Sequence, residues 1–136
     1  MKEGTIVLGS NLEFNFIYNE IEWEIVVFLK YDENLEGEEK YICLTQSHDG
    51  RSVECFKTIK PLKDKSNVYF ELNDDECEIK QGTLILGRFE DDTKWFEGEF
   101  LRYEKNMCDN YGKYICLVSY EGKKEVCCFE EINIIN

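Results

Sequence analysis

Along most of this chain apolar and polar residues alternate in short runs, the period of strands, and no apolar period of 3.6 persists over ten residues. The pattern predicts strands over 4–9, 23–31, 40–46 and 51–56. Between the first two, Phe14, Phe16 and Tyr18 alternate with polar neighbours, so 11–22 reads as a strand or a long aromatic loop. Residues 32–39 form an acidic turn, and His48-Asp49-Gly50 a hairpin turn. The single proline, Pro61, closes this half. Residues 63–67 form a short charged linker, 68–72 an added strand and 73–76 a second acidic turn. Strands are predicted again over 82–87, 95–103, 113–120 and 124–129, with a tight turn at Glu121-Gly122-Lys123. Residues 130–135 end the chain as a helical turn or a last strand. The expectation is an all-β protein.

The two halves are one pattern written twice. Lys40-Tyr41-Ile42-Cys43-Leu44 recurs verbatim as Lys113-Tyr114-Ile115-Cys116-Leu117. Trp23, Phe28, Leu29 and Tyr31 return as Trp95, Phe100, Leu101 and Tyr103. Gly4-Thr5 and Gly9 return as Gly82-Thr83 and Gly87, and Val53, Cys55 and Phe56 as Val126, Cys128 and Phe129. The offset changes only between blocks, so the joints vary while the blocks do not. A repeat of this kind predicts one small β unit used twice. The expected division is 1–62, a linker with an added strand over 63–81, and 82–136.

The chain has 136 residues, 43% hydrophobic and 33% charged, enough for a core and a solvated surface. No run approaches the roughly 20 apolar residues of a bilayer span. The first residues, Met1-Lys2-Glu3-Gly4, lack the layout of a signal peptide. An intracellular protein is expected, and seven cysteines, an odd number, fit free thiols there. Cys43 and Cys116 hold equivalent positions, as do Cys55 and Cys128, inside apolar runs that suit a small buried hydrophobe. There is no Cys-x2-Cys and one histidine, so neither metal nor cofactor is expected. The net charge of −13 argues against direct nucleic-acid binding and for a basic partner. The plainer reading is that the charge serves solubility alone.

One repeat, about five short strands in some 55 residues, suits a small bent barrel. The second half resembles the Tudor and Agenet-type domains most closely. Leu86-Gly87-Arg88-Phe89-Glu90-Asp91-Asp92 and Lys94-Trp95-Phe96-Glu97-Gly98-Glu99-Phe100 resemble their first hairpin. Val118-Ser119-Tyr120-Glu121-Gly122 and Glu125-Val126 resemble the next strands, and Glu130-Glu131-Ile132 the closing segment. The resemblance covers most of 82–135 and, more weakly, 4–62. It implies two tandem SH3-like, Tudor-like barrels packed together, the second with a ligand site and the first with a degenerate one. It also implies a non-enzymatic reader, in the nucleus or cytoplasm, of a basic peptide such as a histone tail carrying methylated lysine or arginine. An aromatic cage of Phe89, Phe96 and Tyr120 would hold the cation, with Asp91, Asp92 and Glu121 as acidic neighbours. Ring faces attract such cations by about 0.5–2 kcal/mol each. Glu121-Gly122 stands where the family often has Gly-Asn, which speaks against dimethylarginine.

The repeat weighs cage against core. Trp23/Trp95, Phe28/Phe100, Tyr31/Tyr103, Tyr41/Tyr114 and Phe56/Phe129 occur in both copies and read as architecture. Phe89, Phe96 and Tyr120 stand opposite Asn11, Glu24 and Ser47, so they are peculiar to one copy. Against a cage, Phe96 shares a strand face with Gly98 and Phe100, and Tyr120 shares one with Tyr114 and Cys116, which suits core residues. Phe14, Phe16 and Tyr18 fit a pocket with His48, or a stripe covering a contact between the barrels. No catalytic set emerges: the one histidine, His48, lies in a turn with no cysteine near it, and no phosphate-binding glycine loop is present. Two other readings remain: an acidic mimic of nucleic acid that occupies a basic groove, and an architectural module that recruits partners through its strand edges.

Overall fold

A computed structural model of the chain describes residues 1–64, 68, 70 and 77–135. The predicted linker, added strand and acidic turn over 63–76 lie largely outside these. The described strands are β1 Ile6–Ser10, β2 Phe14–Asn15, β3 Glu20–Ile21, β4 Glu24–Tyr31, β5 Tyr41–Ser47, β6 Gly50–Phe56 and β7 Thr58–Pro61. They continue as β8 Leu84–Arg88, β9 Phe96–Tyr103, β10 Tyr114–Tyr120, β11 Lys123–Phe129 and β12 Glu131–Ile134. The described residues are all-β. The two repeats build five-stranded sheets of the same order, β6-β5-β4-β1-β7 and β11-β10-β9-β8-β12, and β2 pairs with β3 as a separate hairpin. The closing segments are strands in both copies. Pro61, which removes a donor, ends β7 at a sheet edge, where that loss is tolerated.

Closed barrels were expected, and the sheets are open. Among the described residues no ladder joins β6 to β7 or β11 to β12. Yet β6 ends at Phe56 and β7 begins at Thr58 on the opposite edge. In a flat five-stranded sheet those edges would stand about 19 Å apart, while two Cα steps span under about 8 Å. The sheet therefore coils until its edges meet at one corner. The short β7 pairs with β1 over Thr58 to Pro61 instead of continuing the closure. β12 pairs with β8 in the same way.

The coiling has a local cause, repeated in both sheets. Between β4 and β5 the register runs Phe28↔Cys43, then Lys30↔Ile42, which leaves Leu29 as an extra residue. Between β9 and β10 it runs Phe100↔Cys116, then Arg102↔Ile115, which leaves Leu101. Such bulges bend a strand and increase its twist. Both leucines are buried, so the bulge also plants a side chain in the interior. The start of each sheet is pinned identically. Gly4 and Gly82 donate their N–H to the carbonyls of Phe28 and Phe100, both at 2.8 Å. Thr5 and Thr83 use their hydroxyls on the carbonyls of Lys2 and Lys80. The two glycines have φ of 89° and 94°, a backbone that other residues rarely adopt.

Each sheet has the same small core. In the first it is Val7, Phe28, Cys43 and Phe56, with Val26; in the second it is Ile85, Phe100, Cys116 and Phe129. One glycine in each copy makes room for the last phenylalanine. A Cβ on Gly9 would lie 3.0 Å from the Phe56 ring, and one on Gly87 would lie 2.2 Å from the Phe129 ring. That close approach explains why glycine and phenylalanine repeat together. Beside each core a tyrosine pair bridges neighbouring strands, Tyr31 with Tyr41 at 4.9 Å and Tyr103 with Tyr114 at 5.1 Å.

The compact units exchange one segment relative to the repeats. The first comprises 1–46 and 53–72, the second 47–52 and 73–136. The tip of the β5–β6 hairpin thus counts with the second unit. There Arg51 donates its N–H to the carbonyl of Asn106 at 2.9 Å, and Cys108 donates to the carbonyl of Arg51 at 2.8 Å.

Candidate functional site

At the end of β8 the chain turns tightly before β9. Asp91 has φ of 65°, Asp92 donates its N–H to the carbonyl of Phe89, and the Asp92 carboxylate accepts the N–H of Lys94 at 3.0 Å. The turn walls an open cleft of about 420 Å³, with Glu130 and Glu131 on the other side. Glu90, Asp91, Asp92, Glu130 and Glu131 all line it, beside Phe89. One lining cation, Arg88, is engaged twice: it pairs with Glu131 and lies 5.0 Å from the centre of the Trp95 ring. The cleft is therefore strongly electronegative.

Of the six residues singled out in the sequence, Phe89, Asp91 and Asp92 line this cleft. Phe96 does not, but its ring lies 5.8 Å from that of Phe89, and both pack on Phe129, at 6.3 and 4.8 Å. Phe89 is half-exposed and Phe129 fully buried, so the cluster runs from the cleft into the core. The Phe96 ring already receives a cation, with the Lys94 ammonium 5.1 Å from its centre. Tyr120 and Glu121 lie elsewhere. Tyr120 ends β10 opposite Lys123 and is 70% exposed, and Glu121 and Gly122, both at positive φ, form the β10–β11 turn. No ring contact joins Tyr120 to Phe89 or Phe96 among the described residues.

The first unit carries a cleft at the equivalent place, past the end of β1, of about 460 Å³. Glu13, Glu20, Glu22, Glu24 and Glu54 line it together with Tyr18 and Trp23. The Lys60 ammonium stands 3.9 Å from the Trp23 ring centre. Burial first, and the neighbouring Glu54 carboxylate second, raise the Glu24 carboxyl above its ordinary value. His48 takes no part in this cleft; it pairs with Asp49 at 3.2 Å. Two residues of the aromatic stripe are largely exposed, Phe16 at 87% and Tyr18 at 71%.

Sequence reasoning passed over one buried polar cluster. Glu104, 1% exposed, accepts a hydrogen bond from the Arg51 guanidinium at 3.0 Å, and the Arg102 Nε lies 3.7 Å from the same oxygen. Its other oxygen accepts the Asn106 N–H at 3.1 Å. In the first copy Asp32 accepts the Asn34 N–H at 2.9 Å and, like Glu104, donates its own N–H across the turn. The signal was present: an acid follows the repeated tyrosine in Tyr31-Asp32 and Tyr103-Glu104. Its partner Arg51, 53 positions away, has no such local sign.

All seven cysteines are free. Burial pushes the thiols of Cys43, Cys116 and Cys128 from the ordinary 9.0 up to about 12, and those of Cys55 and Cys127 to about 11. Groups whose folded value is raised give up protons more readily when unfolded. Stability from this source is complete below about pH 9 and is lost as pH rises towards 12, because the unfolded chain then binds fewer protons. Denaturant midpoints between pH 8 and 11 should fall steadily, and the buried thiols of Cys43 and Cys116 should resist iodoacetamide at pH 8 until the protein is unfolded. Rapid labelling of these two in the native state would contradict their burial. Among the described residues no three or more His, Cys, Asp or Glu side chains are placed to hold one metal ion, and no helix is long and apolar enough to cross a membrane. Compared with family models, with curated proteins and with solved structures, the chain matches none.

Proposed function

We propose that the chain is a non-catalytic interaction module, built of two SH3-like units of the Tudor type, that binds a basic peptide segment at the second repeat. The observation that carries this reading is the convergence of five carboxylates with the half-exposed Phe89 in one open cleft. Coulomb attraction would draw a lysine- or arginine-rich segment there, and Phe89 would cover the aliphatic part of the bound side chain. The strand order supports the SH3-like reading, since the last strand lies beside the first in each sheet. Methylation of the bound cation is the finer part of the proposal, and it requires Tyr120 to approach Phe89 and Phe96 on binding. The Lys94 ammonium would then leave the Phe96 ring to the ligand. A nuclear histone tail is the partner class that this chemistry suits.

The test is titration of unmodified and trimethylated histone-tail peptides by fluorescence anisotropy. Phe89→Ala is expected to weaken binding about tenfold, the effect of losing one anchor. Tyr120→Ala, at an exposed position, is expected to leave stability within about 0.5 kcal/mol and to abolish any preference for the methylated peptide. Equal binding of both peptides by the wild type would remove the methylated cation from the proposal. Undiminished binding by Phe89→Ala would remove the cleft.

A further inference from the structure

Among the described residues the β2–β3 hairpin occurs in the first repeat only, where the joint between the first two blocks is longer. It is a shaped element. The Asn15 side chain accepts the N–H groups of Ile17 and Tyr18, at 2.9 and 3.3 Å, and donates to Glu22. Ser10 anchors its base by donating to the Glu22 carbonyl at 2.6 Å. Asn11 accepts the N–H of Lys57 at 3.0 Å. This built hairpin displays Phe16 and Ile17, each 87% exposed, with Phe14 edge-on to Phe16 at 5.0 Å. Contiguous large apolar side chains held in water by a specific backbone geometry mark an interaction surface. Beside them lies the first cleft, whose carboxylates include Glu24 and Glu54, and whose Trp23 ring already accepts an ammonium.

We infer that the β2–β3 hairpin and its adjoining cleft form a docking surface for an extended segment of a partner protein in which arginine or lysine alternates with large apolar residues. An extended segment presents successive side chains to opposite sides. One set would pack on Phe14, Phe16 and Ile17 while the other meets Glu20, Glu24 and Glu54. The partner is basic because the described residues lining this cleft include five glutamates and no lysine or arginine. The carboxyl of Glu24, raised by burial and by Glu54, would be relieved by a bound cation. This surface rests on its own residues and stands whether or not the second repeat binds a methylated tail.

The probe is a labelled synthetic twelve-residue peptide alternating arginine with leucine, compared with one alternating arginine with serine. Titrated into the 15N-labelled full chain, the first peptide should shift amide signals over 9–24 and 54–56. The serine peptide should bind at least about tenfold more weakly. The pair Phe16→Ser with Ile17→Ser, and separately Glu24→Gln with Glu54→Gln, should each weaken binding by about tenfold with an unchanged melting temperature. Phe89→Ala should leave it intact. Equal affinity for both peptides, or shifts spread evenly over acidic surface, would reduce the effect to charge and overturn the proposal. Concentration-dependent dimerisation in analytical ultracentrifugation that Phe16→Ser with Ile17→Ser abolishes would overturn it in favour of a second copy as occupant.

Discussion

Replacing Glu104 by alanine should cost about 3–5 kcal/mol, the loss found when one member of a buried ion pair is removed. The carboxylate is 1% exposed and stands between two buried guanidinium groups, at 3.0 Å from Arg51 and 3.7 Å from Arg102. Without it both cations keep their charge in a medium that solvates them poorly, and the Asn106 N–H loses its acceptor. The loss is comparable with the total stability of a small domain, about 5–15 kcal/mol. Urea denaturation should therefore show the second unit, its 47–52 segment included, destabilised as a whole. Glu104→Gln keeps the shape and the acceptor, so it should cost less. A triple replacement, Arg51→Met, Arg102→Met and Glu104→Leu, should recover much of the loss, because the desolvation cost vanishes with the charges. A denaturation midpoint for Glu104→Ala equal to that of the wild type would show that water reaches the cluster.

Gly87→Ala should cost about 3 kcal/mol, the upper end of ordinary overpacking, and Gly9→Ala about 1 kcal/mol at the lower end of it. The two glycines hold the same place in the two sheets, so the difference isolates space from sequence context. The added methyl meets the Phe129 ring at 2.2 Å in one case and the Phe56 ring at 3.0 Å in the other. Phe129 is fully buried and held between Phe89 and Phe96, so it has little room to retreat. Phe129→Leu should relieve Gly87→Ala in part, giving a coupling that a double-mutant cycle measures. Equal costs at both glycines would disprove the argument. The same change should also weaken peptide binding at the second cleft, since Phe129 supports Phe89 from behind.

The strands of the repeated blocks were legible because their alternation and their duplication are both local. The cores were legible too: Phe28, Cys43 and Phe56 and their copies Phe100, Cys116 and Phe129 were marked by recurrence. What stayed hidden depends on pairing between distant segments. Thr58–Pro61 was not read as a strand, and Glu131–Ile134 was read as either a helical turn or a last strand, because a four-residue edge strand has no period to display. The bulges at Leu29 and Leu101 are invisible without a register, and so was the openness of the sheets. At the candidate site all six residues came from the family resemblance; Phe89, Asp91 and Asp92, close together in sequence, line one cleft, while Tyr120 lies apart from the other rings. The acidic first cleft was overlooked because comparison between copies favoured the aromatics of the second.

The Arg51–Glu104 pair also orders events in time. A chain made from its N-terminus presents the β5–β6 hairpin, with Arg51 at its tip, well before residue 104 exists. Until about 53 more residues have been added, Arg51 lacks the carboxylate it pairs with in the folded protein. The first repeat can thus take up its strand pairing during synthesis, but its tip must wait for the second. An interaction that cannot form before residue 104 is made thus joins segments far apart in the chain, and a translational pause before that residue would prolong the interval in which Arg51 stands without this carboxylate.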